Sequence, residues 1–243
     1  MTTARSTTRT ARERARDEIT AEILSAARAR LREAGPGELS LRAVARDVGM
    51  VSSAVYRYFP SRDELLTALL IAAYDELGAA VEAADEGVPD RADFIGRWTA
   101  TCRATRDWAV SHPHDYALLY GSPVPGYAAP RDTVGPATRV IVRLVEIIVG
   151  AYEAGSAGAV ATPPSRSAAP DQMVADAIAF VRERGVVSEQ SVPEIVMRTL
   201  MAWSTLFGTV SFELFGHLKG SVSDFETYFD QVALRLAGDL GLA

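Results

Sequence analysis

The stretch G49-M-V-S-S-A-V-Y-R-Y-F-P-S-R-D-E-L-L66 decides the fold. It packs two small hydroxyls, an arginine between two tyrosines, a phenylalanine and a helix-stopping proline into a dozen residues. Val55 and Phe59 stand four apart, the spacing of one buried helical face. Ser52, Ser53, Tyr56 and Arg57 are then left to point outward. Pro60 ends this short helix, predicted over about 51–58. Ser61-Arg62-Asp63-Glu64 has the pattern of a capping box opening a longer helix that runs to about Ala84.

Two helices are predicted upstream. Ile19, Ile23, Ala27 and Leu31 form one stripe, closed by Gly-Pro-Gly at 35–37. Ser40 then precedes Leu41, Val44, Ala45 and Val48, where its hydroxyl can cap the free N–H groups of a two-turn helix. Gly49 follows at the left-handed position that closes such a helix. Two short helices joined at a glycine and packed on a long one make a helix-turn-helix. A bare second helix of this kind suits the major groove of DNA. Serine hydroxyls reach base edges or phosphates, tyrosine hydroxyls donate to phosphate, and Arg57 suits a phosphate or a guanine.

Charge supports a local polyanion contact. The chain has 243 residues and a net charge of -6, yet residues 1–62 carry twelve arginines against seven acids. That head is +5, so the rest is -11. Arg5, Arg9, Arg12, Arg14 and Arg16 fall in or just after a basic flexible arm placed at 1–14. They suit either phosphate tracking and minor-groove entry, or plain solvation of a tail.

Beyond Gly87, apolar spacing of three and four continues, with strand signals nearly absent. Helices are predicted at about 90–110, 112–120, 132–155, 171–184, 192–216 and 223–240, with loops at 121–130 and 155–170. The fold class is all-α: a three-helix DNA-binding domain at 15–62, then a larger helical body at 63–243.

"LSLRAVARDVGMVSSAVYRYFPSRDELL" (39–66) resembles the DNA-binding head of the TetR/AcrR family of regulators, over about residues 15–66. The resemblance implies DNA contacts from Ser40, Arg42, Ser52, Ser53, Ala54, Tyr56, Arg57, Tyr58 and Arg62. Arg62 stands at a basic phosphate clamp more often filled by lysine. Val51 departs from the family's usual Ser or Thr cap. "HPHDYALLYGSPVPGY" (112–127) and "AWSTLFGTVSFELFGH" (202–217) are similar to a WHG-type C-terminal domain, with Phe207 where the name-giving histidine lies.

The resemblance implies a homodimer paired through the last two helices, which binds a palindromic operator. Ser204, Gly208, Ser211, Phe212 and Phe215, then Phe225, Phe229, Val232 and Leu236, are the candidate pairing residues. A small-molecule effector would sit in the body, with Phe94, Trp98, Trp108, Tyr116, Tyr120, Arg143, Tyr152, Trp203 and Phe207 as candidate contacts. The same aromatics also read as plain core, and Arg139 and Arg143 as partners of Glu146 or solvent. The function expected is a ligand-responsive repressor. An activator, a ligand-insensitive DNA binder and, at a distance, a helical enzyme are the alternatives.

Catalysis has little footing. His112 and His114 flank Pro113 beside Asp115, but alternation around a proline does not put both rings on one helical face. Pro113 suits the first turn of a helix instead. HExxH, GxSxG and phosphate-cradling glycine loops are absent, so neither enzyme activity, metal nor cofactor is expected. The one cysteine, Cys102, fits a reducing cytoplasm. No run of about eighteen apolar residues predicts a membrane span.

Overall fold

Thr10 opens the first helix with a complete capping box in the computed structural model, which describes residues 10–158, 170–186 and 193–242. Its hydroxyl accepts from the Glu13 N–H, and the Glu13 carboxylate accepts from the Thr10 N–H at 2.8 Å. Helix α1 (Ala11–Ala34) therefore begins within the arm expected at 1–14, and Arg12 and Arg14 ride on regular helix. Arg5 and Arg9 lie outside the described residues.

Ile23, Ala27 and Leu31 bury their side chains against α2 (Leu41–Asp47), α3 (Ser52–Val55) and the start of α4 (Arg62–Glu86). Ser40 has the extended backbone of a cap, but its hydroxyl makes no capping bond. Its carbonyl accepts instead from the Ala43 and Val44 N–H groups. Gly49 takes φ +65° as expected, which lets the Met50 N–H return to the Ala45 carbonyl at 2.8 Å. α3 is a single turn, shorter than predicted, continued by tight turns to Phe59. Val55 and Phe59 enter the head core with Leu65, Leu66 and Leu69. Each such side chain contributes roughly 1.5–3 kcal/mol by leaving water.

The expected boundary after residue 62 is not a break in packing. α4 runs without interruption from the head core into the body core, where Ala73, Leu77 and Val81 are fully buried. Leu118, Val124 and Tyr127 fold back onto the head core, and the Tyr127 and Thr67 hydroxyls lie 2.8 Å apart.

The body adds α5 (Phe94–Ser111), α6 (Pro113–Tyr120), α7 (Val134–Ala137), α8 (Arg139–Glu153), α9 (Pro170–Met173), α10 (Ala175–Glu183), α11 (Pro193–Leu214) and α12 (Phe225–Asp239). Pro113 occupies the first turn of α6, as its missing N–H predicts. The helix predicted over 132–155 divides at Thr138, two residues after Pro136, and the Thr138 hydroxyl donates to the carbonyls of the preceding turn. The loop predicted at 155–170 lies mostly outside the described residues.

α11 bears on the membrane reading. By length and composition alone it is apolar enough to cross a bilayer. Here one face, with Ala202, Leu206 and Val210, is buried in the body core.

Two charge clusters tie the body together. Asp85 is fully buried at the end of α4, yet receives Arg97 Nε at 2.7 Å, Arg91 Nη2 at 2.8 Å and Arg143 Nη1 at 3.2 Å. Arg139 donates to Glu82 and Asp75 while crossing Gly78. A methyl group on Gly78 would sit 2.6 Å from Arg139 Nε, so glycine is what lets α4 and α8 pass.

Candidate nucleic-acid interface

The outward side of the head follows from what the core consumes. With Val55 and Phe59 turned in, Ser53, Tyr56 and Arg57 are exposed, and Ser52, Ala54 and Tyr58 are partly so. Arg42 projects from α2 in the open, with Ser40 half-covered behind it.

Ion pairing divides the head's arginines. Arg30 is held by Asp47 through two hydrogen bonds, and Arg28 by Glu76 at 2.7 Å. The bond from Arg30, helped by its charge, holds the Asp47 carboxyl below the ordinary range. Among the described residues Arg42 and Arg57 pair with no acid, which leaves both guanidinium groups open to phosphate or base.

Arg62 departs from this pattern. Its guanidinium donates to the Pro36 carbonyl at 2.7 Å and the Leu39 carbonyl at 3.2 Å, with Asp63 3.7 Å away. Two of its nitrogens therefore bind the turn between α1 and α2 to α4, where the resemblance implied a phosphate clamp.

The candidate ligand residues separate into two sets. Trp98 is fully buried and donates to the Ala233 carbonyl at 2.9 Å, and Tyr152 donates to the Leu240 carbonyl at 3.1 Å. Phe94 packs on Gly150, and Arg143 is committed to Asp85 and Glu146. Those four have partners within the chain. Tyr116, Tyr120, Trp203 and Phe207 instead gather in one cluster, with Tyr120 and Phe207 centroids 4.5 Å apart. Tyr74 of α4 joins edge-on at 6.1 Å, a member the sequence reading missed.

The buried polar atoms of the body are unevenly satisfied. The Tyr116 hydroxyl donates to the Phe207 carbonyl at 2.8 Å, and burial pushes its pKa up to about 12 against the pull of Ser211. The Tyr120 hydroxyl, its pKa also raised by burial, makes no hydrogen bond among the described residues. Trp108 stacks on His112, and its buried Nε1 is unpartnered, as is the Thr101 hydroxyl on the same face of α5. Among the described residues no group of His, Cys, Asp or Glu is placed to hold a metal ion.

The candidate pairing residues divide by helical geometry. On α11, Met201, Ser204, Gly208 and Phe212, then Phe215 in the turn just past its end, succeed one another by three and four on the face away from the core. Phe212 is 53% and Phe215 45% exposed, and a Cβ at Gly208 would meet no atom of the described residues within 4 Å. Ser211, beside that stripe, bonds to Tyr116 instead. On α12, Phe229 is buried in the core, which takes it out of any pairing face, and Leu236 packs on the same core while staying partly exposed. Phe225 is half-buried. Val232 reaches the outer side, beside exposed Tyr228, Gln231 and Arg235, which the sequence reading passed over.

An all-helical chain whose head leaves a short, hydroxyl- and arginine-bearing helix bare is a helix-turn-helix transcriptional regulator. The chain belongs to the TetR family of bacterial regulatory proteins. The family's DNA-binding model matches residues 23–69, and the tetracyclin repressor-like C-terminal domain matches residues 98–236. HTH-type transcriptional regulators of Mycobacterium tuberculosis and Mycobacterium bovis are 44% identical to it over 207 residues, 83% of each chain. The crystal structure of the regulatory protein SCO4313 superposes with a TM-score of 0.71 at 32% identity, covering 94% of this chain and all of that one. A Rhodococcus protein of unknown function shares the fold, with a TM-score of 0.63 at 24% identity over 98% of this chain and 97% of that one. Regulators of this family are DNA-binding proteins, not enzymes.

Proposed function

We propose that the chain is a cytoplasmic, ligand-responsive repressor that binds a near-palindromic operator as a homodimer. The observation that carries this reading is the pair of unpaired arginines, Arg42 and Arg57, on the same exposed surface as Ser52, Ser53 and Tyr56. Two such heads, related by a two-fold axis, would enter successive major grooves roughly one helical turn apart.

The stripe Met201–Phe215 and the outer side of α12 supply the pairing face, an apolar surface that a lone chain leaves in water. The cluster of Tyr74, Tyr116, Tyr120, Trp203 and Phe207 supplies the effector site. Its walls are flat and apolar, and the Tyr120 hydroxyl, unpartnered among the described residues, supports a ligand that accepts a hydrogen bond. α6 carries Tyr116 and Tyr120 on one side and presses Leu118 on the head core from the other. A ligand that fits one position of α6 better than another would shift head spacing by that difference in affinity.

Selection of duplexes from a random pool by the purified protein tests this. Recovery of inverted repeats, with Arg42→Ala weakening the selected duplex by about 10-fold or more, is the expected result. Tyr56→Phe should weaken all duplexes alike. Recovery of no common sequence, or full affinity in the double variant, would sink the reading.

A further inference from the structure

The first two turns of α1 raise a separate question. Ala11 to Glu18 are all exposed, and the first fully buried side chain of the helix is Ile23. The exposed part projects about 12 Å at 1.5 Å per residue. No core requires it, and it carries Arg12 and Arg16 one turn apart, where like charges repel.

These two arginines meet the far end of the recognition helix. Arg12, Ala15, Arg16 and Ile19 line an open recess of about 400 Å³ together with Arg57 and Tyr58. The Arg16 guanidinium lies over the Tyr58 ring, 5.2 Å from its centroid, which fixes the cation beside the phenol. Glu13 is the acid lining the recess, and its carboxylate is engaged by the Thr10 N–H. Asp17 and Glu18 stay outside it. Among the described residues none of Arg12, Arg16 and Arg57 forms an ion pair.

We propose that this recess is a composite phosphate seat for the duplex backbone flanking each half-site, built jointly by α1 and the end of the recognition helix. It rests on the DNA-binding reading above and adds a second anchoring point to it. Arg57 and Tyr58 directly follow the base-facing residues, so with α3 in the major groove the recess lies where the bordering strand passes. Three cations converge there with a tyrosine hydroxyl that donates without charge, a set that matches one or two phosphates and reads no sequence. The seat widens the footprint of each head while leaving operator choice to Ser52, Ser53 and Arg42.

The test is the salt dependence of binding to a duplex of about 30 base pairs and arbitrary sequence, by fluorescence anisotropy between 50 and 200 mM KCl. Each phosphate neutralised contributes about 0.9 to the slope of log affinity against log salt. The double variant Arg12→Gln/Arg16→Gln should lower the slope by about 2 per bound head, with a loss of about 10-fold or more at the upper salt. Gln has nearly the helix propensity of Arg, so α1 is retained. Arg12→Lys/Arg16→Lys should restore most of the slope. A wild-type slope in the Gln variant, with duplex binding intact, overturns the seat and leaves the DNA-binding reading standing. Failure of the wild-type protein to bind any duplex at 50 mM KCl overturns both.

Discussion

Arg28 of α1 and Asp115 of α6 face each other across the seam between head and body, Nε to Oδ1 at 3.5 Å. The contact is one of charge without a hydrogen bond, because Nε and Nη2 of Arg28 are buried and unpartnered. Glu76 of α4 holds the remaining nitrogen at 2.7 Å. Head, α4 and α6 thus share one guanidinium, and a small displacement of α6 makes or loses a bond there.

Asp115→Asn tests that seam. A partly exposed pair contributes about 1 kcal/mol or less, so the melting temperature should move by only a few degrees. Duplex affinity should change several-fold, because the substitution alters how α6 restrains the head. Unchanged affinity at unchanged stability would mean that the seam merely packs.

Asp85 gives a stability prediction with a definite sign in pH. Burial pushes its carboxyl up, but hydrogen bonds from Arg97 and Arg91, with their charges, outweigh this and hold its pKa below the ordinary 3.8. A carboxyl with a depressed folded pKa stabilises fully above its unfolded value, and loses that contribution as pH falls through the folded one. Wild-type stability should therefore decline below about pH 4 by more than that of Asp85→Asn. At neutral pH, Asp85→Ala should cost about 3–5 kcal/mol in urea unfolding, since Arg97 and Arg143 lose their common partner.

Phe212→Arg addresses pairing. The side chain is already half in water and supports no core, so a single chain should fold as before. Placed in a symmetric interface, two such cations would oppose one another across the axis. Sedimentation should register monomer where wild type is dimer, and palindromic duplexes should be bound at least about 100-fold more weakly than by wild type. A variant that remains dimeric would move the interface off this stripe.

What the sequence disclosed and what it hid divide along local and long-range lines. Val55, Phe59, Gly49 and Pro113 act within one or two turns, and their spacing was enough to place them. Misplaced elements turned on features close in sequence that admit two outcomes. The break at Thr138 has no single residue in the sequence that marks it, and Ser40 offers its carbonyl where a hydroxyl cap was expected. Partners far along the chain left no local trace. Nothing in the sequence around Asp85 marks it as buried, and Arg97 and Arg143 reach it from two other helices. Arg62 reads as a free cation until the α1–α2 turn closes over it. Phe229 sits one hundred degrees around its helix from Tyr228, so a stripe counted one position off exchanges core for surface.

Cys102 has a practical consequence. It is the chain's single thiol, 1% exposed, and burial drives its pKa far above the usual thiol range. Thiolate chemistry at neutral pH is thereby shut off. A cysteine introduced at exposed Ser53 would be the one sulfur that a maleimide dye or spin label reaches. The gap between paired labels would then read out, in solution, how far apart two bound copies hold their reading helices.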